Sequence, residues 1–303
     1  MASSWQQGKV LTGKSWHVVK ANPGLLKWPV LSGVFAIPGV AVAGAGIVLL
    51  GDNTNVAGIA LLVIGAYLAV FGGILGSAAL VAGADQALRG EPIEGAFGRA
   101  SSHLGAIAGW ALIQTVVGWL LSALTNGGGG GNSGTAGAII GILRLVLGSL
   151  LSTAWALITF FVLPLIILEG LSPVAAIKRS GHVFRERWGT QILGGVRIGA
   201  AVAIFGILPS IIVGGIGVYL IATVENGAGE AGGGVLLLAG IIGLSISLII
   251  SSAMRAIFGI VLLRWAETGE AVGDFTSDEL VGAVRLKKGA SLPASAPTGP
   301  ATA

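Results

Sequence analysis

The chain has 303 residues, of which 54% are apolar and only 10% charged, with a net charge of +4 and a mean hydropathy of +0.91. A water-soluble domain carries about 25% charged residues, so this composition excludes an ordinary soluble globule and points to a chain whose solvent is largely lipid. The absence of Cys excludes disulfides, thiolate metal sites and cysteine nucleophiles.

At the N-terminus "GKVLTGKS", Gly8 to Ser15, matches the G-x-x-x-x-G-K-[ST] loop that cradles phosphates. That loop works only between a buried strand and a helix whose N-terminus faces the ligand. The preceding "MASSWQQ" is too short and too polar to be the strand, and an apolar run follows. The match is read as fortuitous, and a nucleotide-binding enzyme built on Lys14 ranks third among the functional readings. No secretory signal is apparent.

Apolar runs of span length then predict an all-α polytopic membrane bundle of about six helices. They are expected near 30–50, 56–84, 104–124, 138–168, 192–222 and 234–263. The turns "GDNTN", "TNGGGGGNSGT" and "ENGAGEAGGG" carry Asp52, Glu225 and Glu230 and no base. The opposite ends hold Lys9, Lys14, Lys20, Lys27, Arg89, Arg99, Lys178, Arg179, Arg185, Arg187, Arg264, Arg285, Lys287 and Lys288. By the positive-inside rule both termini are cytoplasmic, in a multi-pass protein of the plasma membrane. Trp28, Trp188 and Trp265 flank apolar runs on that side, as interfacial anchors do.

The spans pair into a repeat. "SWH" at Ser15–His17, "SSH" at Ser101–His103 and "SGH" at Ser180–His182 recur, and "RGEPIEGAFGRA" aligns with "EGLSPVAAIKRS", Gly90 on Gly170 and Arg99 on Arg179. Ala87 and Glu91 likewise match Ala266 and Glu270. The period is about 80 to 90 residues, and each unit is an interfacial helix followed by a two-span hairpin. Two spans per unit make the three copies parallel. The expected organisation is one integral membrane domain, 1–288, with repeats near 9–86, 90–168 and 171–266 and a partial fourth unit at 267–288. The tail 289–303 has the composition of a disordered end.

The third interfacial helix is the best defined. Ser172 suits an N-cap and Pro173 the first helical position. Val174, Ile177, Gly181, Phe184 and Trp188 make an apolar stripe, with Lys178, Arg179, Arg185 and Arg187 on the rest of the surface. Such a helix lies in the headgroup plane with its cations on anionic lipid. The second copy, Pro92 to His103, has a weaker stripe of Ile93, Phe97 and Ala100.

Two stretches, "SWHVVKANPGLLKWPVLS" and "FFVLPLIILEGLSPVAAIKRSGHVFRERWGTQILGG", resemble an uncharacterised family of multi-span prokaryotic membrane proteins. The resemblance runs through Ser15, Trp16, Pro23, Leu25, Leu26, Pro29 and Ser32, then Pro164, Glu169, Gly170, Pro173, Ala176, Arg179, Ser180, Trp188 and Gly189. More distantly the pattern is similar to the membrane domain attached to some glycerophosphodiester phosphodiesterases. The resemblance implies an architecture and no activity.

Ionisable residues inside apolar runs are functional candidates by default. Arg144, Arg197 and Arg255 are those residues here, each within snorkelling reach of an interface. Asp85, Glu169 and Glu267 mark the basic ends of the second, fourth and sixth spans and read as pairing elements, with Arg179 or Arg185 as partners for Glu169. The three histidines read as polar-face residues inherited from the repeat, so no metal or cofactor is expected. Glycine pairs at 72/76, 105/109, 137/141 and 195/199 suggest tight helix packing. The leading reading is a non-enzymatic bundle that organises anionic lipid or docks a membrane partner or a second copy, without nucleic acid. The alternative is a small-solute transporter using Arg144, Arg197 and Arg255.

Overall fold

The computed structural model describes residues 4–51, 55–126, 135–187, 206–224, 227–269, 271–277 and 279–280. It is 90% helical, with no strand among the described residues. Helix α1 (Ser4–Ala21) passes through a 3-10 turn at Pro23–Leu26 into α2 (Lys27–Leu50), and α3 (Val56–Leu88) returns alongside it. A second 3-10 turn, Ile93–Gly95, and α4 (Ala96–Ser101) precede α5 (Leu104–Asn126). Then come α6 (Thr135–Ile158), α7 (Val162–Glu169) and α8 (Pro173–Arg187), followed by α9 (Leu208–Thr223) and α10 (Gly227–Thr268).

Five stretches are long and apolar enough to cross a membrane: Pro23–Leu50, Val56–Leu88, Leu104–Thr125, Leu143–Glu169 and Gly229–Thr268. Helix α9 is apolar but shorter. It is the described part of the expected fifth span, whose residues 192–205 lie outside the described residues. A polytopic helical bundle is therefore the fold class.

Three expectations need correction. The fourth span is not one helix: it breaks between Ile158 and Val162, where Pro164 has no N–H to return to the carbonyl one turn earlier. The second interfacial helix shrinks to the six residues of α4. The Gly-rich "ENGAGEAGGG" is mostly helix, because α10 already begins at Gly227. Glycine weakens a helix by about 1 kcal/mol, but a Cβ at Gly233 would press on Gly217 and Ile221 of α9. Close approach offsets the intrinsic cost.

The chain forms two compact units. One comprises Val30–Gln86 and Pro92–Glu186. Here α2 and α3 meet through glycines at seven-residue spacing, Gly39 and Gly46 against Gly58, Gly65 and Gly72. Trp155 Nε1 donates to Gln114 Oε1 at 2.8 Å, tying α6 to α5. The buried side chains gather at the end where α3 and α7 finish: Ala78 to Ala84, Ile107, Trp110, Phe161, Val162 and Leu165 to Ile167. At the far end Ile47, Val48, Val56, Leu120, Leu145 and Leu150 are exposed, as suits side chains solvated by lipid.

The other unit comprises Met1–Pro29, Ala87–Glu91 and Arg187–Ala303. Helices α9 and α10 pack through Gly233 and Gly240 against Gly217 and Gly214, and the seven-residue series continues along α10 as Ser247, Met254 and Val261, all buried. Helix α1 rests on α10, and Leu11, Val19, Leu25, Trp28, Trp265, Phe275 and Leu280 are buried at the closing end of α10.

Candidate functional site

The sequence around α8 explains its own placement. Gly170 ends α7 in the left-handed conformation, φ +67°, which glycine reaches without steric cost. Its N–H bonds Ile166 O and that of Leu171 bonds Leu165 O, which closes the last orphan carbonyls of α7. Ser172 then caps α8, its Oγ accepting from Ala175 N–H at 3.5 Å, and Pro173 occupies the first turn as expected. Pro173 packs on α5, where a Cβ at Gly109 would stand 3.1 Å from the proline ring.

Helix α8 presents three sectors. Ala176, Ser180 and Val183 are buried and form the face against the protein. The expected apolar stripe lies beside this face: Val174 is exposed, and Ile177, Gly181 and Phe184 are half-buried. Lys178, Arg179, His182 and Arg185 are exposed on the remaining face. Arg187 is the last residue of α8, and Trp188 lies outside the described residues. The result is a helix with one side fastened, one apolar side half open and a cationic side facing outward.

Ser180 is the fastening that sequence reasoning missed. Its hydroxyl donates to Ile158 O at 2.5 Å and accepts from Phe161 N–H at 3.3 Å. Both are backbone groups freed by the break between α6 and α7. The available signal was Pro164 inside an apolar run.

Arg144 is exposed on α6 at the beginning of a candidate span. Arg255 is exposed on α10, its Nε donating to Ser251 O of its own helix at 3.3 Å. Arg197 lies outside the described residues. Asp85 is fully buried and pairs with Arg99 Nη1 of α4 at 3.2 Å. Glu169 is exposed beside Gly170.

Gly8 to Ser15 lie inside α1, so the phosphate-loop match is helix and no cradle exists there. Lys14 has another task. Its Nζ donates to Asp274 O at 2.5 Å and to Glu279 Oε2 at 2.6 Å. Glu279 also accepts from Thr276 N–H at 3.0 Å, the return half of a T-x-x-E capping box. The bond from Lys14 holds the Glu279 carboxyl below its usual value, against a smaller opposing effect of burial. His17 Nδ1 stands 3.5 Å from Asp274 Oδ2. His103 Nδ1 lies 3.0 Å from Arg99 O, and His182 is exposed on α8. No group of three His, Cys, Asp or Glu able to hold a metal occurs among the described residues.

A family model described as a family of unknown function (DUF6159) matches residues 53–273. The chain belongs to this family. The match takes in α3 to α10, including the Pro164–Gly189 stretch, and leaves the Ser15–Ser32 stretch outside. Comparison with curated proteins and with solved structures found no match. The DUF6159 assignment carries no activity over to the chain.

Proposed function

We propose that this DUF6159 protein is a non-enzymatic multi-pass protein of the plasma membrane, with cytoplasmic termini, that engages anionic lipid headgroups through α8. The observation that carries the reading is the division of α8 into a buried face at Ala176, Ser180 and Val183 and an exposed cationic face at Lys178, Arg179 and Arg185. A cation near an anionic surface contributes about 1 kcal/mol, so three contribute about 3 kcal/mol. The half-buried Ile177 and Phe184 supply the apolar edge of an interfacial helix.

The threefold repeat belongs to the same proposal. Gly90, Gly170 and Gly269 follow α3, α7 and α10 with φ of +71°, +67° and +77°. With Gly90 set on Gly170 and Ser15 set on Ser180, Leu11, Ala96 and Ala176 are equivalent, as are Ser15, Ala100 and Ser180, and all six are fully buried. The distant likeness to membrane domains of glycerophosphodiester phosphodiesterases concerns this hairpin architecture alone.

The test uses purified full-length protein in neutral detergent, with phosphatidylglycerol or phosphatidylcholine added. Phosphatidylglycerol is expected to raise the thermal midpoint of the parent. The variant carrying Lys178→Gln, Arg179→Gln and Arg185→Gln is expected to lose most of that rise. An equal response of parent and variant would end the lipid reading.

The discontinuity at 159–161 favours a second reading, transport of a small anion, because broken spans line substrate paths in several transporter folds. Arg144, Arg197 and Arg255 would then supply the counter-charge. Anion uptake into proteoliposomes that falls when Arg144 or Arg255 becomes Gln would support it.

A further inference from the structure

Backbone accounting at the break in the fourth span leads to one assignment. Around it, Thr159 N–H bonds Trp155 O, Phe160 N–H bonds Leu157 O, Val162 N–H bonds Thr159 O, and Leu165 N–H bonds Phe161 O. The groups displaced from an uninterrupted helix include the Ile158 carbonyl, which Val162 would have served, and the Phe161 N–H. Both are taken by the hydroxyl of Ser180. Phe161, Val162 and Ser180 are buried, so water is not on hand to substitute, and an unmet backbone group there is costly.

Proline alone does not open a helix in this chain. Pro38 sits inside α2 without interrupting it. In the repeat register, the positions of Pro164 and Ser180 read Ala84 and Ala100 in one copy, where α3 is unbroken. With Gly170 set on Gly269 the position of Pro164 reads Leu263, and with SGH set on SWH the position of Ser180 reads Ser15. There α10 is continuous, and the buried Ser15 hydroxyl has no hydrogen-bond partner. The hydroxyl is used only where the proline has opened the span.

We propose that Pro164 and Ser180 act as one coupled pair: the proline opens the span, and Ser180, a positioning residue, closes the gap and thereby pins α8 to α6 and α7. The register and depth of α8 are set by this pin and by the Pro173–Gly109 contact. The assignment stands whether or not the cationic face of α8 binds lipid.

Hydrogen exchange of the full-length protein in detergent, read by mass spectrometry over 157–162 and 173–185, tests the pair. Ser180→Ala is expected to speed exchange in both segments by about tenfold, the scale of one lost buried hydrogen bond. Pro164→Ala restores an N–H that lets α6 run into α7. In that background Ser180→Ala is expected to change exchange by less than about threefold, since interacting sites are non-additive. Unchanged exchange in Ser180→Ala, or equal effects in both backgrounds, overturns the assignment. If Ser180→Ala alone fails to fold, recovery of folded protein by the double variant supports the coupling, and failure of the double variant refutes it.

Discussion

Ser15 and Ser180 occupy the same small sequence frame, and both are fully buried. Their energetic roles are opposite. Ser180 satisfies two backbone groups, whereas the hydroxyl of Ser15 is buried with no partner. A buried hydroxyl left unmet is destabilising by about 1–3 kcal/mol. Ser15→Ala is therefore expected to raise the thermal midpoint in detergent, by an amount corresponding to roughly 1 kcal/mol. The Lys14–Glu279 pair supplies a pH dependence. Because the folded carboxyl titrates below its ordinary value of 4.5, its contribution is fully present above that value. It fades as pH falls through the lowered value. Acidification below pH 4.5 should expose a cysteine placed at Phe275 to thiol reagents. Glu279→Gln should make that exposure independent of pH across the same range.

Elements obey a different arithmetic, in which backbone proximity decides. The hairpin of α2 and α3 is closed by glycines seven residues apart, a spacing that keeps one face toward its partner along a left-handed crossing. A Cβ at Gly65 would land on the backbone of Ala43, while one at Gly73 meets nothing within 4 Å. Gly65→Leu is expected to destabilise the hairpin by about 1–3 kcal/mol, and Gly73→Ala to be neutral, both read from thermal aggregation in detergent. The four-residue glycine spacing visible in sequence was the weaker guide: Gly72 and Gly76 are used, but Gly105 and Gly141 meet nothing within 4 Å. For α8, Ser172 and Pro173 announced the start correctly because capping is local. Its buried face was hidden because Ala, Ser and Val contrast little with their neighbours. What buries them is the position of the break in α6–α7, and periodicity holds no record of that.

At the scale of the molecule, α10 has 42 residues and is about 63 Å long at 1.5 Å per residue. A hydrocarbon core is about 30 Å thick, so this helix must tilt or protrude. The large buried side chains of α3 and α10 cluster toward their closing segments, and α7 is buried along most of its length. The opposite halves of their hairpins expose leucine, isoleucine and valine. Sidedness is directly testable, since the chain has no cysteine. Cysteines at Lys20 and Lys178 are expected to be labelled from the cytoplasmic side of intact cells, and one at Asn55 from the other. Labelling of Lys20 and Lys178 from opposite sides would remove the topology and the parallel repeat together.

Sequence by itself determined the solvent of this protein, its helical class and most span positions, because hydropathy sums over many residues and no tertiary contact can reverse it. It also carried the cap at Ser172, whose hydrogen bond closes within one turn. Only the tertiary structure decided that Lys14 clasps Asp274 and Glu279, that the fourth span is open, and that Ser180 fills the opening. Those depend on which backbone groups meet across distant segments, a matter of geometry that residue type alone does not encode.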